Sequence, residues 1–464
     1  MDKREVRLQK VKQPEKDCTG IPVVLTEETI EQRKNKILSA MKQRGLEQLV
    51  VYGDVEHGGN YEYLVGYFTR FEESLLVINA NGEMTLILGN ENLNKSTKAR
   101  IKANAIHVSH FSLPNQPARK DKSIKELLID AGVRKNARTG LVGWKMFTDG
   151  AEVNKKIYDL PSFIVDTIRN IVGVEDCLSN ETDLFIGENG VRTVNNANEI
   201  ANYEYGAALA SDCILDTMNK LAPGITEQEL GDSLVRCGQH TNIVTIATSG
   251  PRFINGNMFP TDNTVKYGDT LSLTVGYRGG ASSRAGYAVH GDDKLSQEAT
   301  GYLDAVAIPY FYAYAHWLEV ITVGMRGGEL FDQVDTVLPR SKYHWSLCPG
   351  HLTGAEEWMS SPIYEGSQEK LLSGMILQID IIPSVAGYGG ISAESTVLLA
   401  DEHLQLDIKT QHPELWQRMQ HRRKYLIETL GIKLSPDILP MCSTVAYLRP
   451  YLLDKERAFV CRKI

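Results

Sequence analysis

The sequence predicts two domains in tandem, a smaller α/β domain over residues 25–160 and a larger α+β domain over residues 191–405. Three observations carry this. Strand-length apolar runs alternate with helical stretches between residues 25 and 160. Two helical stretches follow between Asn198 and Gly238, the first stopped by Pro223-Gly224 and the second capped by Thr226. From Thr245 to Val289 the pattern changes to short apolar runs broken by glycine, which is strand and turn chemistry.

Residues 1–24 are charged and aperiodic and read as a flexible arm. Glu28 to Gly45 reads as a helix, with Thr26 as its cap. LEQLVVYGD (46–54) is a buried strand ending in Gly and Asp. SLLVINANGEMTLILG (74–89) is two apolar runs around Asn-Gly, a hairpin signal. SIKELLIDAGV (123–133) is a helix and RTGLVGW (138–144) another strand. Residues 161–190 read as a linker helix.

The first helix of the larger domain ends at Leu221, before Pro223-Gly224. The second is ITEQELGDSLVRCG (225–238), with Thr226 as cap and Glu229 three residues on. Helix returns at Ser296–Val323. GMILQIDIIP (374–383) and STVLLADE (395–402) are late strands. Residues 406–464 form a C-terminal extension, an amphipathic helix near Pro413–Leu430 and an aromatic tail that packs on the surface or on a partner.

Composition narrows the function. A net charge of −8 argues against a general nucleic-acid binder, which needs a basic face. Seven cysteines, odd in number and never spaced as CxxC, argue against a disulfide scaffold or zinc ribbon. No signal-type stretch and no apolar run of membrane length is seen. The expectation is a cytoplasmic protein with neither membrane nor nucleic acid as partner.

Asp380 sits inside an otherwise apolar run, LQIDIIP, where a buried unpaired carboxylate is costly. That favours a functional role. Four segments in order extend the reading: NEIANYEYGAALASDCILDTMNKLAPGITEQELGDSL (198–234), FINGNMFPTDNTVKYGDTLSLTVGYRGGASSRAGY (253–287), PGHLTG (349–354), and LLSGMILQIDIIP (371–383) with GGISAESTVLLAD (389–401). Together they resemble the pita-bread domain of the creatinase, prolidase and Xaa-Pro aminopeptidase family. The segment over 25–160 resembles the smaller creatinase-type N-terminal domain.

The resemblance implies a site. Metal-dependent members hold two divalent ions with two Asp, one His and two Glu. Here His351 fits the histidine, Asp380 stands at the first Glu position and Glu394 at the second. Thr274 stands at the first Asp position, and the second falls at Arg284 or Ala285. Two accessory histidines are replaced, one by Asn257 or Met258 and one by Trp358. A dinuclear centre is therefore not expected. The cofactor is none or at most one divalent ion, on His351, Asp380 and Glu394. Without metal, Asp380 and Glu394 would bind a cationic group while His351 moves protons, with Arg284 relieving the repulsion or forming an inert ion pair. His240 and His344 are weaker candidates as bases.

Arg284, Thr274, Asn257 and Trp358 are candidate substrate contacts. So are Arg70, Glu72 and Glu73, because creatinase-like dimers bring N-terminal loops to the partner's site. The implied function is a homodimeric hydrolase or lyase acting on a C–N bond of a small substrate or short peptide, cationic in one reading. The rivals are a non-catalytic peptide- or protein-binding module and an Xaa-Pro dipeptidase or aminopeptidase with a rearranged metal site.

Overall fold

A computed structural model describes residues 4–116 and 122–463. Contacts divide the chain into residues 25–193 and a second unit of residues 1–24 with 194–464. Among the described residues no helix is long and apolar enough to cross a membrane.

The first unit is built on a mixed six-stranded sheet. Its strands are β2 (Gln48–Gly53), β3 (Ser74–Asn79), β4 (Met84–Leu88), β5 (Asn104–His107), β6 (Thr139–Val142) and β7 (Leu178–Asn180), in the order β5-β4-β3-β2-β6-β7. β3 and β4 form the expected hairpin. Gly82, with φ of 87°, takes the left-handed turn position that favours glycine. The helix Glu27–Arg44 starts at Thr26, whose side chain accepts the Thr29 N–H, and stops at left-handed Gly45. The helix Ser162–Val172 is not a linker. Its apolar face, Ile164, Val165, Ile168, Ile171 and Val172, is buried in this unit's core with Val50, Val77 and Leu141.

The second unit carries a seven-stranded antiparallel sheet. It comprises β8 (Ile246–Ser249), β9 (Thr270–Tyr277), β10 (Gly280–Tyr287), β11 (His351–Leu352), β12 (Ile376–Asp380), β13 (Ser392–Leu399) and β14 (Ile438–Pro440). β13 pairs with β12 along one edge; β10 and β14 share its other edge. The helix Ala197–Lys220 packs Leu209, Cys213 and Ile214 against Leu271, Leu273 and Val275 of β9. Capping boxes start this helix (Asn196 with Glu199) and the helix Glu227–Leu234 (Thr226 with Glu229).

Two ends of the chain differ from expectation. Residues 4–10, read as a flexible arm, form β1 (Arg4–Lys10), paired over seven residues with β15 (Arg457–Lys463). Residues 1–3 and 464 lie outside the described residues. Glu5, Arg7 and Lys10 are exposed while the backbone supplies the pairing, and Val6 is buried. The C-terminal extension is part of the same unit. β14 joins the sheet, and Tyr447, Leu452, Leu453 and Ala458 sit in the core. The helix expected at Ser296–Val323 begins only at Ile308, after a π-helical stretch at Leu303–Ala307, and left-handed Gly301 interrupts the chain ahead of both.

Deleting residues 1–10 removes one of the two strands of this ladder and uncovers the β15 edge. The expected result is a fall in Tm of about 5 °C for the unfolding of this unit in calorimetry. An unchanged Tm would restore the view of a loose arm.

Candidate functional site

The site follows from strand register. Side chains alternate between faces with a period of two, so directly paired residues share a face. Asp380 pairs with Glu394, Glu394 with Ser283, and Ser283 with Thr274. One face therefore carries the row Asp380, Glu394, Ser283, Thr274 across four strands. His351 pairs with Gln378, two residues from Asp380, and joins the same face.

The acidic end of the row gathers the chemistry. One ligand atom from each of His351, Asp380 and Glu394 lies within 4.8 Å of the others. Among the described residues no other group of three His, Cys, Asp or Glu side chains meets this condition. The His351 ring is fully buried and stacks on Trp358, with centroids 4.0 Å apart. Its Nδ1 lies 3.2 Å from the Leu352 carbonyl, which only accepts, so Nδ1 carries the proton. Nε2 is thereby turned into the pocket. It stands 3.3 Å from Glu357 Oε1 and 3.4 Å from Glu394 Oε1. These are ion-pair separations without hydrogen-bond alignment, and Nε2 and Glu394 Oε1 are both buried with no hydrogen-bond partner.

Burial and mutual repulsion dominate the electrostatics. Burial pushes Glu394 up to about 8 against the pull of His351, and Glu357 and Asp380 add to the push. Burial likewise raises Asp380 to about 6. Burial alone would lower His351, but Glu357 and Glu394 outweigh it and raise the imidazole to about 10. Burial opposes ionisation of Glu357 too, yet His351 beside it wins and holds it below the usual carboxylate range. The cluster thus retains protons that a bound cation would displace.

The other end of the row is neutral. Thr274 Oγ1 donates to Ser283 Oγ at 2.8 Å. The sequence places the second Asp position at Arg284 or Ala285, but the residue opposite Thr274 is Ser283. A two-residue turn, Arg278-Gly279, sets this register. Gly279 has φ of 111°, and a Cβ there would stand 1.9 Å from the Tyr203 carbonyl oxygen.

Arg284 does not line the pocket. As the neighbour of Ser283 it points to the opposite face, where it is buried. It donates to the carbonyls of Tyr447 (3.1 Å), Ser283 (2.6 Å), Glu394 (2.9 Å) and Thr444, and to Ser395 Oγ (3.2 Å). Those five bonds use all five guanidinium N–H groups. It is therefore neither a substrate contact nor a side-chain partner of Asp380.

The remaining expectations scatter. Trp358 is in the site as the plane over His351. Asn257 lies in an exposed loop, and His240 and His344 are exposed outside the cluster. In the other unit Arg70 is exposed, 3.7 Å from Glu91. Glu72 is buried and accepts the Glu91 N–H at 2.9 Å. Glu73 is half-buried. Sequence reasoning missed Glu357 and Ser283. Glu357 lies in a loop with no periodicity, and only the pair Glu356-Glu357 beside PGHLTG could have drawn attention to it.

The residues form one possible three-residue group for a divalent ion among the described residues. One His nitrogen and two buried carboxylates converge around orphaned atoms, a set suited to a single cation. The Thr274–Ser283 pair satisfies itself and offers no charge to a second.

A half-barrel antiparallel sheet with a His, Asp and Glu cluster on one face defines a pita-bread domain, preceded here by a mixed α/β domain. Residues 201–401 match the profile of Metallopeptidase family M24. The fold is that of an Xaa-Pro dipeptidase from Bacillus anthracis, with 15% identity, TM-score 0.61, and coverage of 81% of this chain and 96% of that one. It is also that of the prolidase from Pyrococcus horikoshii OT3 (15%, 0.61, 80% and 95%). The X-Pro aminopeptidase from Thermotoga maritima MSB8 gives 15%, 0.60, 80% and 95%. No curated protein matches the sequence.

Asp380, Glu394 and His351 all have pKa values raised above those of the unfolded chain. Without a cation the native state binds the extra protons, so their stabilisation is complete at low pH and is lost as pH climbs through about 6, 8 and 10. Glu357 has the opposite sign and loses its contribution on acidification. The Tm of chelator-treated protein is expected to fall between about pH 6 and about pH 9, and to fall less in Glu394→Gln. A flat profile shared by both proteins contradicts the cluster electrostatics.

Proposed function

We propose that the C-terminal domain is a single-cation hydrolase of the M24 fold, cleaving a C–N bond in a small substrate such as a short peptide. The observation that carries this is the convergence of two buried, unpartnered atoms, His351 Nε2 and Glu394 Oε1, beside Asp380. A bound divalent ion supplies charge stabilisation and an acidified water. The protein's own contribution is separate. Leu352 O fixes the His351 tautomer, which leaves Nε2 as the nitrogen that would hold the ion. Asp380 and Glu394 would give the anionic ligands. Glu357, close to Nε2 and only partly buried, accepts and returns a proton near the scissile group. Trp358 walls the pocket and limits water.

The neutral Thr274–Ser283 pair distinguishes this site from a two-ion peptidase and leaves a hydroxyl-lined wall for a polar part of the substrate. The homodimer and the cytoplasmic location expected from the sequence belong to the same proposal. The second reading is a binding module that has lost catalysis. The same hydroxyl pair supports it, because it removes the charge that would hold a second ion.

Elemental analysis after purification without chelator is expected to find one divalent ion per chain, and none in His351→Ala. Two ions per chain would sink the proposal. Calorimetric titration near pH 7 is expected to release about two protons per ion, since His351 and Glu394 both hold protons there. Xaa-Pro dipeptides and guanidino compounds form the substrate panel. One bound ion with no turnover of either class favours the binding module.

A further inference from the structure

We infer that the layer beneath β10, on the face opposite the candidate site, holds a small monovalent anion of the halide type bound to Arg449. Arg449 is 1% exposed, yet its Nε, Nη1 and Nη2 have no hydrogen-bond partner among the described residues. A guanidinium has five N–H donors and no acceptor, and it stays charged in proteins. Burying it unpaired is strongly unfavourable.

Among the described residues no carboxylate hydrogen-bonds to it, and Asp454 attracts it only from a distance. Asp454, five residues on, is engaged by Arg457 Nε and by the N–H groups of Glu456 (3.1 Å) and Arg457 (3.2 Å). Arg284 adds a second buried positive charge in the same layer, and all five of its bonds go to neutral acceptors. The backbone cannot easily carry Arg449 out to water. Pro450 O accepts the Tyr287 N–H at 3.3 Å, the Leu452 N–H donates to Tyr287 O at 2.8 Å, and Leu448 O accepts the Phe459 N–H at 3.1 Å.

The surroundings offer donors. The Tyr447 ring centroid lies 5.7 Å from the guanidinium carbon, and its buried hydroxyl is also unpartnered. A cation with five free donors beside a free hydroxyl lacks an acceptor carrying negative charge. Water would satisfy the bonds but leave the charge. All five Arg284 donors are taken, so only the Arg449 guanidinium is free to bind an ion, and one monovalent ion matches its single charge.

The test uses the full chain with bromide as the probe. Crystals grown in sodium bromide are expected to show an anomalous peak within hydrogen-bond reach of the Arg449 guanidinium. In solution, Tm is expected to rise by about 2 °C per tenfold increase in bromide above its Kd, relative to sodium gluconate at equal ionic strength. Arg449→Met is expected to abolish the difference between bromide and gluconate. Should that variant fail to fold, the wild-type comparison and the anomalous map decide alone. No peak, with equal Tm values in the two salts, overturns the inference. A peak without a Tm rise marks an adventitious ion only and overturns it as well.

Discussion

The register between β9, β10, β13 and β12 is the constraint on which the site depends. Because side chains alternate, a single pairing pattern decides that Asp380, Glu394, Ser283 and Thr274 share a face and that Arg284 does not. The two-residue turn at Arg278-Gly279 fixes that pairing, and Gly279 is required there by its positive φ and the Tyr203 carbonyl against it. A one-residue slip would bring Arg284 into the pocket and turn Ser283 into the layer below. The distribution of charge between the two faces is thus a property of the hairpin.

The two faces hold opposite burdens. The pocket face gathers three carboxylates around one imidazole, and burial raises Asp380 and Glu394. The opposite face buries Arg284 and Arg449, with no carboxylate hydrogen-bonded to either guanidinium among the described residues. Arg284 is reconciled with burial through bonds to the carbonyls of β10, β13 and the segment 444–447. It thereby ties the C-terminal segment to the sheet just beneath Glu394. Each face has its own charge to balance. The pocket calls for a cation, and the layer below calls for an acceptor at Arg449.

Much of this was legible in the sequence, and the gaps have physical causes. Helix caps at Thr26 and Thr226, the Asn81-Gly82 hairpin and the late strands are local signals, and the structure carries them as read. The position of His351, Asp380 and Glu394 came from the order of four segments. Ser283 was missed because the length of the turn sets the pairing: one gap in the hairpin changes which residue faces Thr274. Arg284 was misplaced for the same reason. β1 was missed because its sequence is charged and its pairing partner lies more than four hundred residues away. Glu357 carries no pattern at all and enters the cluster only through the fold.

Under the proposed function, Thr274 and Ser283 leave the row across the sheet with a site for one ion rather than two. The most direct measurement is the manganese stoichiometry of the wild type and of a double variant, Thr274→Asp with Ser283→Asp, determined on the folded, chelator-stripped and reloaded proteins. One ion per chain in the wild type and two in the double variant is the predicted result. Equal stoichiometry in the two proteins would contradict the account.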